Sequence, residues 1–155
     1  METKVEVTHM NNNIHIIAAA IALCSCSASP QKEAVAYSDS TTDINGEWYV
    51  TEVDSTVVDT TKTTFRPTIY FKAAVDSIAG CASCNSFCGK ADIDTVKQTI
   101  RISELAQTLL GCESIEYEYR IFSALDKVRA YKGVGKECIE LTDSVGKTVM
   151  QLKKQ

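Results

Sequence analysis

The protein has 155 residues, of which 45% are apolar and 23% are charged, and its net charge is -4. This composition is typical of one globular domain, and it excludes collagen-like, coiled-coil and disordered chains. The acidic balance, with no basic cluster beyond Lys153-Lys154, argues against a nucleic-acid partner.

The N-terminal segment has the features of a lipoprotein leader. Ile14–Leu23 is an uncharged apolar run, too short to span a hydrocarbon core of roughly 30 Å but typical of a signal-peptide h-region. The sequence Leu-Cys-Ser-Cys at its end resembles the bacterial lipobox and puts the lipidated cysteine at Cys26. The n-region departs from the usual pattern because it carries Glu2 and Glu6, although translation from Met10 would remove both acids.

This interpretation divides the chain into three parts. We predict a signal peptide over residues 1–25, a flexible tether over 26–43 and a folded domain over 44–155, because the tether is small and polar with no periodic apolar face. Both histidines, His9 and His15, lie in the leader. The exported chain would therefore lack the histidine needed for a Ser-His-Asp or Cys-His mechanism, or for a His-liganded zinc or haem centre.

Most of the domain has the pattern of antiparallel strands. Asn45-Gly46 is a turn signal, and the seven residues after it mix aromatic, β-branched and polar types, as a first strand would. Further segments of the same character are separated by turn-rich stretches such as Asp143–Gly146. We predict strands at Thr68–Lys72, Ser77–Ala79, Thr99–Ser103, Cys138–Thr142 and Thr148–Leu152.

One segment, from Ser114 to about Lys127, has helical periodicity instead. Ser114 is suited to the N-cap, and Glu116 and Glu118 fall in the first turn, where the helix dipole favours acids. We expect an amphipathic helix that covers one face of the sheet, with Glu118 on its solvent side. The apolar side chains that recur at helical spacing are Ile115, Tyr119, Phe122 and Leu125.

Short motifs follow one another along about residues 44–153. They are Asn45–Trp48, Arg66–Phe71, Gly80 with Cys84–Gly89, Thr108–Cys112, Glu116–Leu125, and Leu141–Asp143 with Gly146. In this order and spacing they resemble the META domain of bacterial heat-shock lipoproteins. The resemblance implies an α+β fold, with a mainly antiparallel, barrel-like sheet and one amphipathic helix packed across it. It also implies a cell-envelope location, a link to stress or antibiotic tolerance, and no established enzymatic activity.

The cysteines of the domain allow several chemistries. Cys81 and Cys84 form a CxxC, but their flanks read as strand and turn rather than as the helix N-terminus of a thioredoxin-like couple. A zinc site would lack a second CxxC, and a structural disulfide is favoured in an oxidising compartment. Gly80, Asn85 and Gly89 suit tight bends around these cysteines. The cysteines available to a metal or a disulfide are Cys81, Cys84, Cys88, Cys112 and Cys138.

The disulfide pairing is suggested by the family rather than by spacing. The META resemblance implies a bridge between Cys84 and Cys112, whereas Cys81, Cys88 and Cys138 fall outside the family pattern. We expect a second bridge to join Cys138 to Cys81 or Cys88, with the remaining cysteine free.

Two close acid pairs are candidate catalytic partners. Asp92 with Asp94, on a strand, and Glu116 with Glu118, on the helix, are each more simply explained as solvated residues. We therefore predict no catalytic residue, no cofactor and no metal.

The sequence thus predicts a non-catalytic cell-envelope lipoprotein that acts in stress or antibiotic tolerance or in envelope interactions. The expected partners are the membrane, through lipidated Cys26, and an envelope protein, with the protein itself a monomer. Ser27, the residue after the lipidated cysteine, resembles the pattern of lipoproteins that are exported to the outer membrane, where the domain would face the periplasm. The alternatives are a small-ligand-binding barrel and a thiol-disulfide redox protein that uses Cys81 and Cys84.

Overall fold

The fold is an antiparallel sheet with one long helix across it. The structure, a computed structural model, describes residues 42–112 and 115–155. The predicted signal peptide, Cys26 and the N-cap at Ser114 lie outside these residues. The strands are β1 Gly46–Val53, β2 Thr56–Val57, β3 Thr68–Lys72, β4 Ser77–Cys81, β5 Ser86–Asp94, β6 Thr99–Gln107, β7 Ala130–Val134, β8 Cys138–Thr142 and β9 Thr148–Lys154; the helix α1 is Ile115–Lys127, and short 3-10 turns occupy Thr60–Lys62 and Ala73–Val75.

Pairing between the first and last strands closes the sheet into a ring. The strand order is β2-β1-β3-β4-β5-β6-β7-β8-β9, and β1 also pairs with β9, from Trp48 opposite Lys154 to Val53 opposite Met150. The pairing is weakest between β6 and β7, where Thr99 and Ala130 form the one registered pair. The predicted class, a mainly antiparallel sheet with one helix packed against it, is confirmed.

The inward faces of the strands fill the ring with apolar side chains. Along β3, for example, Ile69 and Phe71 are fully buried while Tyr70 between them is exposed, as the alternation of side chains along a strand requires. Burial of each such side chain contributes about 1.5–3 kcal/mol. The largest fully buried side chains are Phe71, Ile44, Ile69, Ile78, Ile121, Leu125, Ile139, Leu141, Met150 and Leu152.

The helix lies where the sequence predicts it, but its buried face differs from the prediction. The predicted stripe is wrong at its N-terminal end, because Ile115 and Tyr119 are exposed. It is right further along, where Leu125 is fully buried and Phe122 is partly buried against the core. The residues of α1 that face the core are Glu118, Ile121, Ala124 and Leu125. The buried face is therefore rotated toward Glu118, which the sequence pattern places on the solvent side.

The chain before β1 is already part of the domain. Ile44 is fully buried, and its carbonyl oxygen accepts a hydrogen bond from Trp48 Nε1 at 2.8 Å. Asn45 Oδ1 accepts from the backbone N–H of Ala73 at 2.8 Å, which ties this segment to the turn between β3 and β4. Thr42 packs so closely against Gly133 on β7 that a Cβ there would overlap the threonine side chain.

The glycines around the clustered cysteines serve packing rather than bending. Gly80 lies within β4, where a Cβ would come within 2.8 Å of the Phe87 ring, and Gly89 lies within β5, where a Cβ would come within 2.8 Å of Leu105. The prediction of tight bends at these glycines is wrong. The positive φ angle in this region belongs to Ser83, at 119°.

Within the part of the chain that the structure describes, no helix is both long and apolar enough to cross a membrane.

Candidate functional site

The most chemically distinctive cluster surrounds the turn between β4 and β5, which we call the hairpin tip (residues 82–85). All four residues of the hairpin tip are buried, and the turn is closed by a hydrogen bond from Ala82 N to Asn85 O at 2.9 Å. Buried polar groups cost free energy unless they are paired, so the partners of this turn define the site.

A disulfide joins the hairpin tip to the segment before the helix. Cys84 is bonded to Cys112, 28 residues later, and their Cα atoms are 6.3 Å apart. Cys84 is buried, whereas Cys112 is partly exposed. The bridge therefore holds the chain that leaves β6 against the tip of the preceding hairpin.

A buried carboxylate on the helix is hydrogen-bonded to the same turn. Glu118 is only 6% exposed, and Asn85 donates to it twice: the backbone N–H to Oε2 at 3.0 Å and Nδ2 to Oε1 at 2.8 Å. Both carboxylate oxygens are thus hydrogen-bonded, so the prediction that Glu118 faces solvent is wrong. Its burial is possible because Asn85 replaces the water that a carboxylate would otherwise need.

The rest of the Asn85 side chain holds the segment between β6 and the helix. Asn85 Oδ1 accepts from Leu110 N at 2.7 Å and from Thr108 Oγ1 at 2.7 Å, while Nδ2 also donates to Leu110 O at 3.1 Å. An asparagine has two donor hydrogens and two acceptor lone pairs, and all four are used here. We call this set the hub; its members are Cys84, Asn85, Thr108, Leu110, Cys112 and Glu118.

The hub presents apolar side chains to solvent. Leu109 is 87% exposed and Leu110 is 60% exposed, although the backbone of Leu110 is fixed by Asn85. Phe65, which is 59% exposed, is fixed in the same way because its N–H donates to Ser83 O at 2.7 Å. We call Phe65, Leu109 and Leu110 the apolar surface.

The apolar surface and the start of the domain lie at opposite ends of the sheet. The start of β1 is paired with the end of β3, next to the Ala73–Val75 turn, whereas the hairpin tip follows the far end of β4. Thr42 and the apolar surface are therefore separated by the length of the strands.

Cys81, Cys88 and Cys138 are free in the structure. The expected second bridge from Cys138 to Cys81 or Cys88 is absent, because β8 is separated by two intervening strands from β5, which carries Cys88, and by three from β4, which carries Cys81. Three strand spacings of about 4.8 Å far exceed the Cα separation of roughly 4.4–6.8 Å that a disulfide spans. The CxxC is not closed either, since Cys84 is bonded to Cys112 and Cys81 keeps its thiol.

The two acid pairs are separated by the fold. Glu116 is exposed and forms an ion pair with Arg120 at 2.9 Å, while Glu118 points into the hub. On β5, Asp94 holds the following turn and Asp92 is exposed. The described residues contain no group of three or more potential metal ligands of the His, Cys, Asp and Glu types.

Sequence reasoning missed Glu118 as a site residue. The signal that could have revealed it is its spacing of three and seven residues from the buried Ile121 and Leu125, which places an acid on the core stripe. The asparagine that binds it lies in the motif Cys84-Asn85, which supports the family resemblance.

Comparison with known proteins agrees with this geometry. The sequence model of the META domain matches residues 41–155. The chain belongs to the META domain family. A search of curated proteins gave no significant match.

Solved structures similar to this META domain show the same fold. A DUF4847 family protein from Bacteroides vulgatus has a TM-score of 0.53 and 16% identity, and the match covers 72% of this chain and 93% of that one. A protein from Burkholderia xenovorans, solved by NMR, has a TM-score of 0.55 and 13% identity, with 72% and 82% covered. At these identities the likeness supports the architecture of the META domain and carries no function.

Proposed function

We propose that this META protein is a non-catalytic lipoprotein of the cell envelope, anchored through Cys26, that contributes to stress or antibiotic tolerance by binding an envelope protein. The observation that carries the non-catalytic part is the hub. Its carboxylate and amide resemble catalytic groups, yet the oxygens of Glu118 and the whole side chain of Asn85 are used in hydrogen bonds within the protein. Groups committed in this way hold structure rather than act on a substrate.

The apolar surface supports a binding role. Binding through exposed leucines loses less conformational entropy when their backbone is already fixed in the free protein. The disulfide and Asn85 supply that preorganisation for Leu110. We propose that the envelope partner contacts Leu109 and Leu110, at the end of the sheet away from Thr42.

Membrane attachment rests on the leader. An apolar run followed by Leu-Cys-Ser-Cys supports lipidation of Cys26, and two acyl chains would give stable attachment where one gives marginal binding. Cell fractionation tests this directly. Wild type and Cys24→Ala should partition with the membrane, whereas Cys26→Ala should become soluble. Membrane recovery of Cys26→Ala at the wild-type level would contradict the anchor.

The physiological role needs a separate experiment. A strain of the native host that lacks the protein would be complemented with wild type, Cys26→Ala, or the pair Leu109→Ser and Leu110→Ser, and survival would be measured after heat and antibiotic exposure. We expect only wild type to restore survival. A control double variant, Val96→Ser with Val145→Ser, removes two exposed loop valines instead of the leucines and should restore survival fully. Equal rescue by all variants would refute the binding role of the apolar surface.

A further inference from the structure

The outer face of β5 and β6 carries a cleft that the proposed function does not use. Its volume is about 360 Å³, within the range of roughly 300–1,000 Å³ that small-molecule sites occupy. The cleft contains charged groups of both signs. It is lined by Asp92, Asp94, Thr99, Ile100, Arg101 and Arg129.

The cleft lies where β6 lacks a neighbouring strand on one side. β6 pairs with β7 only at Thr99 and Ala130, and Ile100 N donates to Arg129 O at 3.0 Å just after that pair. Beyond Ile100 no strand adjoins β6 on that side within the described ranges. Arg129, in the link between α1 and β7, lines the cleft together with residues of the paired β5 and β6.

Two of the charged side chains are partly committed to the fold. Asp94 accepts from the backbone N–H groups of Val96 and Lys97 at 3.0 and 2.9 Å, and it forms an ion pair with Lys97 at 3.1 Å. Arg129 Nη1 donates to the carbonyl oxygens of Asp126 at 2.7 Å and of Val128 at 2.6 Å. The Nε and Nη2 donors of Arg129 have no partner among the residues that the structure describes.

The other two charged side chains have no committed partner. Asp92 and Arg101 face each other in register across β5 and β6. Neither side chain forms a hydrogen bond or an ion pair with any residue in the described ranges, although both backbones take part in the sheet. The cleft therefore offers one carboxylate, one entire guanidinium and part of a second, with the hydroxyl of Thr99 beside them.

We propose that this cleft binds a small zwitterion, either a free amino acid or a short peptide. The carboxylate of the ligand lies between Arg101 and Arg129, because a guanidinium offers paired N–H donors that match two carboxylate oxygens. The ammonium group of the ligand lies against Asp92. Neither charge of the ligand then needs a partner that the fold already uses.

An NMR titration of the ¹⁵N-labelled mature protein tests the proposal. Dialanine and free alanine are the probes, and the amide signals of Thr99 and Arg101 report on the cleft. We expect saturable shifts with a Kd on the order of 1 mM. Saturation by either probe supports the proposal, and the tighter of the two identifies the size of the ligand. Acetylated dialanine and dialanine amide each lack one charge and should bind about 10-fold more weakly.

Matched variants locate the binding. Arg101→Gln and Asp92→Asn should each weaken dialanine about 10-fold, whereas Arg120→Gln, on the exposed face of α1, should leave the affinity unchanged. Three results would overturn the proposal. They are no saturable shift with either probe, binding of acetylated dialanine and dialanine amide as tight as that of dialanine, or wild-type affinity in Arg101→Gln. The last two results would show that the shifts do not come from the charges of the cleft.

Discussion

Removing the carboxylate of Glu118 should weaken the whole domain. In Glu118→Ala, the backbone N–H and the Nδ2 group of Asn85 lose their acceptors while they stay buried. A buried hydrogen bond to a charged group contributes about 1.5–3 kcal/mol, so the loss of two predicts about 3–6 kcal/mol. Alanine regains a few tenths of a kcal/mol through its helix propensity, which does not change the result.

Urea unfolding, followed by the fluorescence of Trp48 and by circular dichroism, measures this loss. With a denaturant slope of about 1.5 kcal/mol per M, a loss of 3 kcal/mol would lower the midpoint by about 2 M. Glu116→Ala is the matched control, because Glu116 lies two residues earlier on the same helix in an exposed ion pair and should cost less than about 0.5 kcal/mol.

The pair can also be tested as a unit. If Asn85 and Glu118 act together, the double substitution to alanine should cost clearly less than the sum of the single substitutions. Equal midpoints for Glu118→Ala and Glu116→Ala would refute the structural role assigned to the buried carboxylate.

Three further predictions concern the disulfide, a buried phenol and the helix. Cys84→Ser should lower the free energy of unfolding by about 3–4 kcal/mol, because it opens a 28-residue loop, whereas Cys138→Ser, a free cysteine, should cost far less; equal losses in thermal melts would argue against the bridge. Burial and two nearby carboxylates raise the pKa of Tyr131 above its ordinary 10.0. The folded state therefore holds this proton more tightly than the unfolded chain, and the domain should lose stability as the pH rises above about 10. Since its hydroxyl also lacks a hydrogen-bond partner among the described residues, Tyr131→Phe should stabilise the domain by about 1 kcal/mol and reduce the alkaline loss; a destabilised variant would show that the hydroxyl is paired. Leu125→Ala, at a fully buried position, should lower the free energy of unfolding by about 3–4 kcal/mol, and Phe122→Ala, at a partly buried ring that contacts Phe87, by about 2 kcal/mol. A larger loss for Phe122→Ala than for Leu125→Ala in urea unfolding would show that the core face of the helix is misassigned.

Strands with strong local character could be predicted from the sequence. Thr68–Lys72 and Cys138–Thr142 have the predicted bounds, because each alternates buried β-branched or aromatic residues with polar ones. The sequence indicates only the Asp92–Asp94 end of β5, since Gly89 and small residues mask the pattern of the rest. β7 was missed because five residues with a central Gly133 give little periodicity.

The hub could be predicted only in part. The bridge between Cys84 and Cys112 was suggested by the family resemblance, and the structure contains it. The role of Glu118 was not predictable from charge, since an acid in the first turn of a helix is normally a solvated residue that interacts with the helix dipole. Its burial depends on Asn85, which is 33 residues away in sequence, and no local pattern encodes that contact.

Closure of the ring has a consequence for how the chain folds. Trp48 pairs with Lys154, a separation of 154 − 48 = 106 residues, whereas the contacts of the hub span about a third of that distance. Because longer loops cost more entropy to close, we expect the hub to form early and the β1–β9 seam to form late. The ammonium of Lys154 lies 4.5 Å from the centre of the Trp48 ring, so tryptophan emission should report the late step. A probe placed at Leu109 would follow the early step, and the two signals together would resolve the order of assembly.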